Sequence, residues 1–320
     1  MHHHSIVTGC AGFIGSNLVD RLLAQGHRVT GVDNFSTGQR RFLVDAMTHP
    51  AFTLIEGDLY DPGVAIAAFP GGDTVFHFAA NADVRFGTDH PRRDLEQNTI
   101  VTYNVLEGMR ANAIRRIAFS STGSVYGEAT VIPTPEDAPF PIQTSLYGAS
   151  KLACEGLIAA YCEGFAFQGW IFRFVSILGP RYTHGHVFDF FKQLLAHPDC
   201  LTVLGDGQQR KSYLDVEDCL DGIQLALANS SSPVNVFNLG QSDYCQVNDS
   251  ISWITNALGV SPERQYTGGA RGWIGDNPFI FLDTARIRGL GFAPRHSIRD
   301  GIVRTVKFLR ANPWVLESRA

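Results

Sequence analysis

A tyrosine and a lysine four positions apart, in Tyr147-Gly148-Ala149-Ser150-Lys151, are the residues best equipped for chemistry in this chain. On a helix they share one face, so the phenol and the ammonium emerge side by side. A neighbouring cation lowers a phenol from its usual pKa of about 10, and a lowered phenol can take a proton from a secondary alcohol. As a bare pattern the pair is common and describes many solvated helices. Two other segments raise it: Ser120-Ser121-Thr122 upstream, and the glycine loop Thr8-Gly9-Cys10-Ala11-Gly12-Phe13-Ile14-Gly15 near the start.

That loop lies between an apparent strand and an apparent helix, the context that phosphate recognition needs. Gly9 permits a sharp turn, Gly12 lets the backbone approach a pyrophosphate, and Gly15 allows close helix packing, while the helix N-terminus offers unpaired N–H groups. Asp33 ends the next strand, eighteen residues past Gly15. A carboxylate there suits the ribose hydroxyls of an adenosine and repels a 2′-phosphate, which favours NAD over NADP. Arg40 and Arg41 read as a solvated helix face rather than a clamp for that phosphate. Asp58 is either an acceptor for the adenine amino group or a cap for the segment that follows it. His184-Gly185-His186 lacks a carboxylate at metal spacing and reads as loop, so no metal is expected.

Short β-rich runs alternate with amphipathic stretches through the first half. Ser5–Thr8, Arg28–Asp33, Phe52–Glu56, Asp73–Phe78, Arg116–Ser121 and Gly169–Phe174 read as strands. Helices are expected over 12–25, 94–111 and 145–163. Such alternation means βαβ units, a parallel sheet covered on both faces, and hence an α/β, Rossmann-type doubly wound fold. After Val175 turn clusters multiply, and Val234–Leu239 looks like one more strand of the first sheet. The expected organisation is a cofactor domain over 1–175 plus about 215–243. A smaller, discontinuous α/β C-terminal substrate lobe covers 176–214 and 244–320. A cleft between two such lobes is the default substrate site.

Composition narrows the function classes. With 44% hydrophobic and 18% charged residues, the chain has ordinary globular character. A formal charge of -5 offers no basic field for nucleic acid. The longest apolar runs fall short of the roughly 20 residues of a membrane span. No signal peptide is apparent, and six cysteines without framework spacing suit a cytoplasmic setting.

Taken together, the glycine loop, Ser120-Ser121-Thr122-Gly123-Ser124-Val125-Tyr126-Gly127 and the Tyr147/Lys151 pair resemble the extended short-chain dehydrogenase/reductases. Within them the chain is most similar to the nucleotide-sugar epimerases of the UDP-glucose 4-epimerase type. The segments His77–Arg85, Glu96–Thr99, Gly205–Tyr213 and Arg271–Asp276 extend the likeness over essentially the whole chain. The resemblance implies a recycled NAD that takes a hydride from C4 of the sugar and returns it to the other face. Tyr147 would carry the hydroxyl proton, aided by the nicotinamide's own positive charge. Lys151 would hold the nicotinamide ribose, and Thr122 would bond the reacting hydroxyl. Phe13, Ile14, Asn34, Leu59, Ala79, Ala80, Asn98 and Ser120 fall at cofactor positions. Ser176, Arg210, Lys211, Arg271 and Asp276 fall on the substrate side.

Departures from the family pattern sharpen the expectation. The 4,6-dehydratases carry Asp-Glu after the threonine, and UDP-glucuronate decarboxylases a glutamate at the second position; here stand Gly123 and Ser124, which can do neither job. Ser176 replaces the asparagine of Arg-x-x-Asn. Lys211 replaces an arginine, with Arg210 just before it, so one of these two cations is expected to meet the diphosphate. Ile280 stands where a bulky tyrosine can exclude N-acetylated sugars. The expected activity is reversible C4 epimerisation of a UDP-hexose. The alternatives are an epimerase for UDP-GlcNAc, a UDP-uronic acid or a non-UDP sugar, a dehydratase or reductase, and a non-catalytic NAD-binding regulator. A homodimer is expected from helices 94–111 and 145–163, whose apolar residues Val101, Tyr103, Val105, Leu106, Leu152, Leu157, Ile158 and Tyr161 exceed one stripe.

Overall fold

Seven strands build one parallel sheet in the computed structural model, which describes residues 3–81, 84–139, 142–269 and 279–319. In chain order they are β1 (His4–Thr8), β2 (Arg28–Asp33), β3 (Phe52–Glu56), β4 (Thr74–His77), β5 (Arg116–Thr122), β6 (Gln168–Phe174) and the edge strand Val234–Leu239. The spatial order is Val234–Leu239, β6, β5, β4, β1, β2, β3. Strands β1, β2, β4, β5 and β6 are nearly continuous runs of buried residues, as a sheet covered on both faces requires, whereas the outermost strands β3 and Val234–Leu239 are less buried. His4 belongs to β1: it is buried, its Nε2 lies 2.9 Å from Thr30 Oγ1, and its Nδ1 lies 2.8 Å from Gly71 O.

Strand order reverses between β1 and β4, which pair directly through Val7 and Phe76. The crevice at such a switch point is where open α/β sheets bind ligands. The loops that leave β1 and β4 therefore set the site.

The chain divides into two compact units. The first comprises Met1–Val125, Ser145–Arg173 and Ile223–Phe237; the second comprises Tyr126–Thr144, Phe174–Gly222 and Asn238–Ala320. In the second unit the sheets are small: Ser176–Leu178 pairs with Tyr213–Asp215, Arg210–Lys211 with Cys245–Gln246, and Cys200–Val203 with Glu263–Tyr266. Helices His186–Ala196, Val247–Leu258 and Ile298–Ala311 complete it. No helix among the described residues is long and apolar enough to cross a membrane.

The helix expected over 94–111 is longer and irregular. It runs from Pro91–Asp94 through a π-helical segment, Leu95–Ile100, into Val101–Ala111. Wider turns of this kind often mark functional positions. The side chains of Val101, Val105, Leu106 and Ile158 are not spare apolar surface: all are buried in the first unit's core. Tyr161 joins that core as well, with its hydroxyl 2.7 Å from Glu107 Oε1. Leu95, Tyr103, Leu146 and Phe165 carry the exposed apolar surface of these helices instead.

Candidate active site

The glycine loop makes its turn with Gly9 at φ +66°, a conformation that L side chains rarely adopt. A Cβ there would also stand 2.7 Å from Ala79 N, so the loops leaving β1 and β4 touch at the switch point. Gly15 is needed for the loop rather than for helix-sheet packing: its Cβ would lie 2.1 Å from Gly9 O. Gly12 caps helix α1 (Phe13–Ala24) and supplies no side-chain hydrogen bond to that helix end. The N–H groups of Phe13, Ile14 and Gly15 begin the helix, which is the arrangement a pyrophosphate needs.

Asp33 sits at the end of β2, where its Oδ2 accepts from Ala11 N–H at 2.9 Å and its Oδ1 from Phe35 N–H at 2.8 Å. Burial raises its pKa, against the pull of those two bonds. A carboxylate oxygen has two lone-pair sites, so acceptor capacity is left for ribose hydroxyls. Arg40 does not reach this carboxylate; it pairs with Glu56 and lies over the Phe35 ring. Asn34 Nδ2 donates to Asp58 Oδ2 at 3.1 Å. Asp58 also caps its own turn through Tyr60 N–H, and the next residue, Leu59, is buried.

The long helix Leu146–Phe165 starts at an N-cap, Ser145, whose Oγ accepts from Gly148 N–H at 3.0 Å. This cap fixes Tyr147 in the first turn, with Lys151 one turn on. Lys151 is buried; its Nζ donates to Ser120 O at 2.8 Å and lies 4.6 Å from the centre of the Phe119 ring. Burial pulls the ammonium down to about 8. Tyr147 departs from expectation: burial pushes its phenol up to about 12, and the hydrogen bond from Thr122 lowers it only in part. The nearby Asp94 carboxylate raises it further, while the Lys151 ammonium is engaged with Ser120 O. Thr122 ends β5, and its hydroxyl also bonds Ser124, accepting from Ser124 N–H at 3.1 Å.

Residues to which sequence reasoning gave no role of their own hold this group. Glu155, one turn beyond Lys151, takes Arg173 bidentately, with Nη2 to Oε2 at 2.7 Å and Nε to Oε1 at 3.0 Å. Ser121 donates to the same carboxylate, so three elements meet in a buried cluster beside Thr122. His77, at the end of β4, is wholly buried and held down to about 3 by burial and then by Lys151. Neutral, it links Thr8 Oγ1 at 2.8 Å to Thr102 Oγ1 at 3.0 Å, and Thr8 Oγ1 accepts from Ala79 N–H. Asn98, in the π-helical segment, is similarly occupied. Its Oδ1 accepts from Asn81 N–H at 2.8 Å and its Nδ2 donates to Ser150 Oγ at 2.8 Å. The Ala79–Asn81 loop is thereby tied to the residue preceding Lys151.

These residues describe a nucleotide cradle beside an alcohol-directed proton group. Against known proteins, the model of the NAD dependent epimerase/dehydratase family matches residues 5–240. The chain belongs to that family. It is 32% identical to the UDP-glucose 4-epimerase of Mycolicibacterium smegmatis, over 96% of this chain and 98% of that protein. It is 33% identical to UDP-glucuronic acid decarboxylase 1 of Xenopus tropicalis, over 95% of this chain and 72% of that protein. A crystal structure of a UDP-galactose 4-epimerase superposes with a TM-score of 0.86 at 36% identity, covering 97% of this chain and 100% of the other. NAD is the family's cofactor and this chain's, and the glycine cradle, the N-terminus of α1 and Asp33 fit it.

The substrate-side residues fall in the second unit. Ser176 is exposed at the start of its strand. Arg210 sets its guanidinium carbon over the Phe279 ring, 3.9 Å from its centre, with the Tyr244 ring centre at 5.5 Å. Lys211 is half-buried beside His186, whose imidazole burial and that cation hold down to about 3. The His186 nitrogens meet Tyr213 and Ser250. Arg271 and Asp276 lie outside the described residues.

Proposed function

We propose that this chain catalyses reversible C4 epimerisation of a UDP-hexose of the glucose/galactose type. The observation that carries the reading is the Thr122, Tyr147 and Lys151 cluster with Gly123 and Ser124 beside it. Elimination of water needs an acid and a base at those two positions, and a glycine and a hydroxyl already bonded to Thr122 supply neither. The glycine loop, the N-terminus of α1 and Asp33 would hold NAD, which would supply the acceptor and donor for the C4 hydride. With the positive nicotinamide bound beside it, the Tyr147 phenol would be lowered from about 12 and ionise; as phenolate it would take the C4 hydroxyl proton as that bond becomes a carbonyl, and return it when the sugar presents its other face. Thr122 donates to the same oxygen and keeps it aligned. Lys151, held by Ser120 O, places a positive charge near the phenol as its proton leaves. A phenol at about 12 is a ready donor for the return step.

On the substrate side, Arg210 is the better candidate for the diphosphate, because stacking on Phe279 holds its planar fork ready for two oxygens. Ile280 forms a sugar-pocket wall smaller than a tyrosine, so UDP-GlcNAc is accepted as well. The first unit then serves as the NAD domain and the second as the nucleotide-sugar lobe. Six free thiols, four of them buried beyond the ordinary thiol range of ionisation, fit a reducing, cytoplasmic setting.

The test is incubation of the purified protein with UDP-glucose, UDP-galactose, UDP-GlcNAc and UDP-glucuronic acid, with no added cofactor. Interconversion of glucose and galactose forms is expected. A 4-keto-6-deoxy product or a pentose product contradicts the reading, and so does inertness toward every UDP-hexose.

A further inference from the structure

One buried amide in the second unit gathers three separate stretches of chain. Asn238 is the next-to-last residue of the edge strand and has no exposed surface. Its Oδ1 accepts from Tyr126 Oη–H at 2.9 Å. Its Nδ2 donates to Thr134 O at 2.9 Å and to Asp283 O at 2.9 Å. Its backbone N–H donates to Glu136 Oε1 at 2.9 Å. A primary amide has two donor hydrogens, and both are spent on main-chain carbonyls of different segments.

Those carbonyls frame a minimal ladder. Thr134 N–H donates to Phe281 O at 2.8 Å, Asp283 N–H donates to Thr134 O at 2.9 Å, and Thr134 pairs with Leu282 as an isolated parallel bridge. A single bridge has no neighbouring strand to hold it, so the side chain of Asn238 supplies the support a wider sheet would otherwise give. Thr134 and Leu282 are buried at the join, and Arg286 approaches Glu136 at 3.9 Å from the far side. The strap so fixed carries Phe279, on which Arg210 stacks, then Ile280, then Phe281, stacked on Phe279 at 5.6 Å.

We infer that Asn238, with Tyr126, is a positioning residue for sugar specificity: it locks the 279–283 strap and thereby fixes Ile280 and the Arg210 platform. This rests on the proposed roles of Ile280 and Arg210. Tyr126 follows Thr122 by four residues in the chain, so the brace begins on the segment leaving the reactive threonine. Loosening the strap leaves the hydride and proton steps intact. It blurs the pocket wall and the diphosphate contact, which appears as weaker binding and altered discrimination.

The test compares wild type with Tyr126→Phe, which keeps the ring and removes one hydrogen bond, and with Asn238→Ala. Both are assayed with UDP-galactose and UDP-GlcNAc and followed by amide hydrogen exchange. The expected result is a KM raised about fivefold, the worth of a buried hydrogen bond, with kcat within about twofold. The ratio of kcat/KM for the two sugars shifts by about threefold or more, and exchange at Thr134 and Asp283 quickens about tenfold. In an Ile280→Ala background the added Tyr126→Phe leaves that ratio unchanged, because its effect acts through Ile280. Unchanged KM and sugar ratio in a folded Tyr126→Phe protein overturn the inference, as does unchanged exchange in both variants. If wild type converts no nucleotide sugar, the epimerase reading fails. The exchange arm then decides the brace alone: faster exchange supports it and unchanged exchange overturns it.

Discussion

Tyr147 and Lys151 sit one turn apart and titrate in opposite senses for the same reason: burial favours the neutral form of each. Replacing Tyr147 with Phe removes only the oxygen that exchanges a proton with the sugar. The variant is expected to fold and retain NAD while losing about 10²–10⁴ in turnover. Steady-state rates within threefold of wild type, about the scatter of a neutral change, would remove Tyr147 from the mechanism. Lys151 makes a stability prediction with a definite sign. Its folded value of about 8 lies below the ordinary 10.5, so between those values the unfolded chain holds a proton that the folded chain has released. Its contribution to stability therefore rises with pH across that window, and below it the folded protein bears the whole cost, about 3 kcal/mol. Lys151→Met is expected to stabilise the protein at pH 7 by about 1–3 kcal/mol while abolishing turnover, with the gain shrinking toward pH 10. Denaturation midpoints of the two proteins over that range provide the check; a less stable Lys151→Met variant at pH 7 contradicts it. Sequence spacing sufficed to pair this phenol and ammonium, because i to i+4 is a local rule. It could not reveal that the ammonium turns to Ser120 O, since that partner lies 31 positions away and is a backbone atom.

At the scale of elements, the alternation of strands and helices was legible almost throughout, because burial on both sheet faces leaves continuous apolar runs. The edge strand Val234–Leu239 was legible from its valines, Phe237 and Leu239, despite Asn235 and Asn238. Irregular pieces were not: the π-helical turn at Leu95–Ile100 carries no hydrophobic signature, and although resemblance marked Asn98, the bonds by which it ties Asn81 to Ser150 show only in the structure. The Glu155–Arg173 pair was equally hidden, since each looks like an ordinary surface charge in sequence. In three dimensions it joins the long helix to β6 and, through Ser121, to β5. Breaking one side of a buried pair leaves the other charge uncompensated, so Glu155→Gln is expected to cost about 3–5 kcal/mol. Chemical denaturation measures this directly; a loss under about 1 kcal/mol, the range of exposed pairs, would mean the cluster is solvated.

For the whole molecule, the proposed homodimer rests on a smaller set of residues than the sequence pattern implied. Leu95, Tyr103, Leu146 and Phe165 are 45–53% exposed on the helices that would pair. These are the side chains a second copy would cover if the helices pair. Light scattering at micromolar concentration is expected to return about twice the 35.1 kDa chain mass, and Tyr103→Glu to weaken that assembly. A monomeric wild type contradicts the proposal. The central claim concerns what happens to one hydrogen atom, and it is tested by following UDP-galactose with the enzyme in deuterated water by proton NMR. An internal hydride return predicts UDP-glucose that keeps its protium at C4. Deuterium at C4, or no conversion of UDP-galactose, would contradict the account.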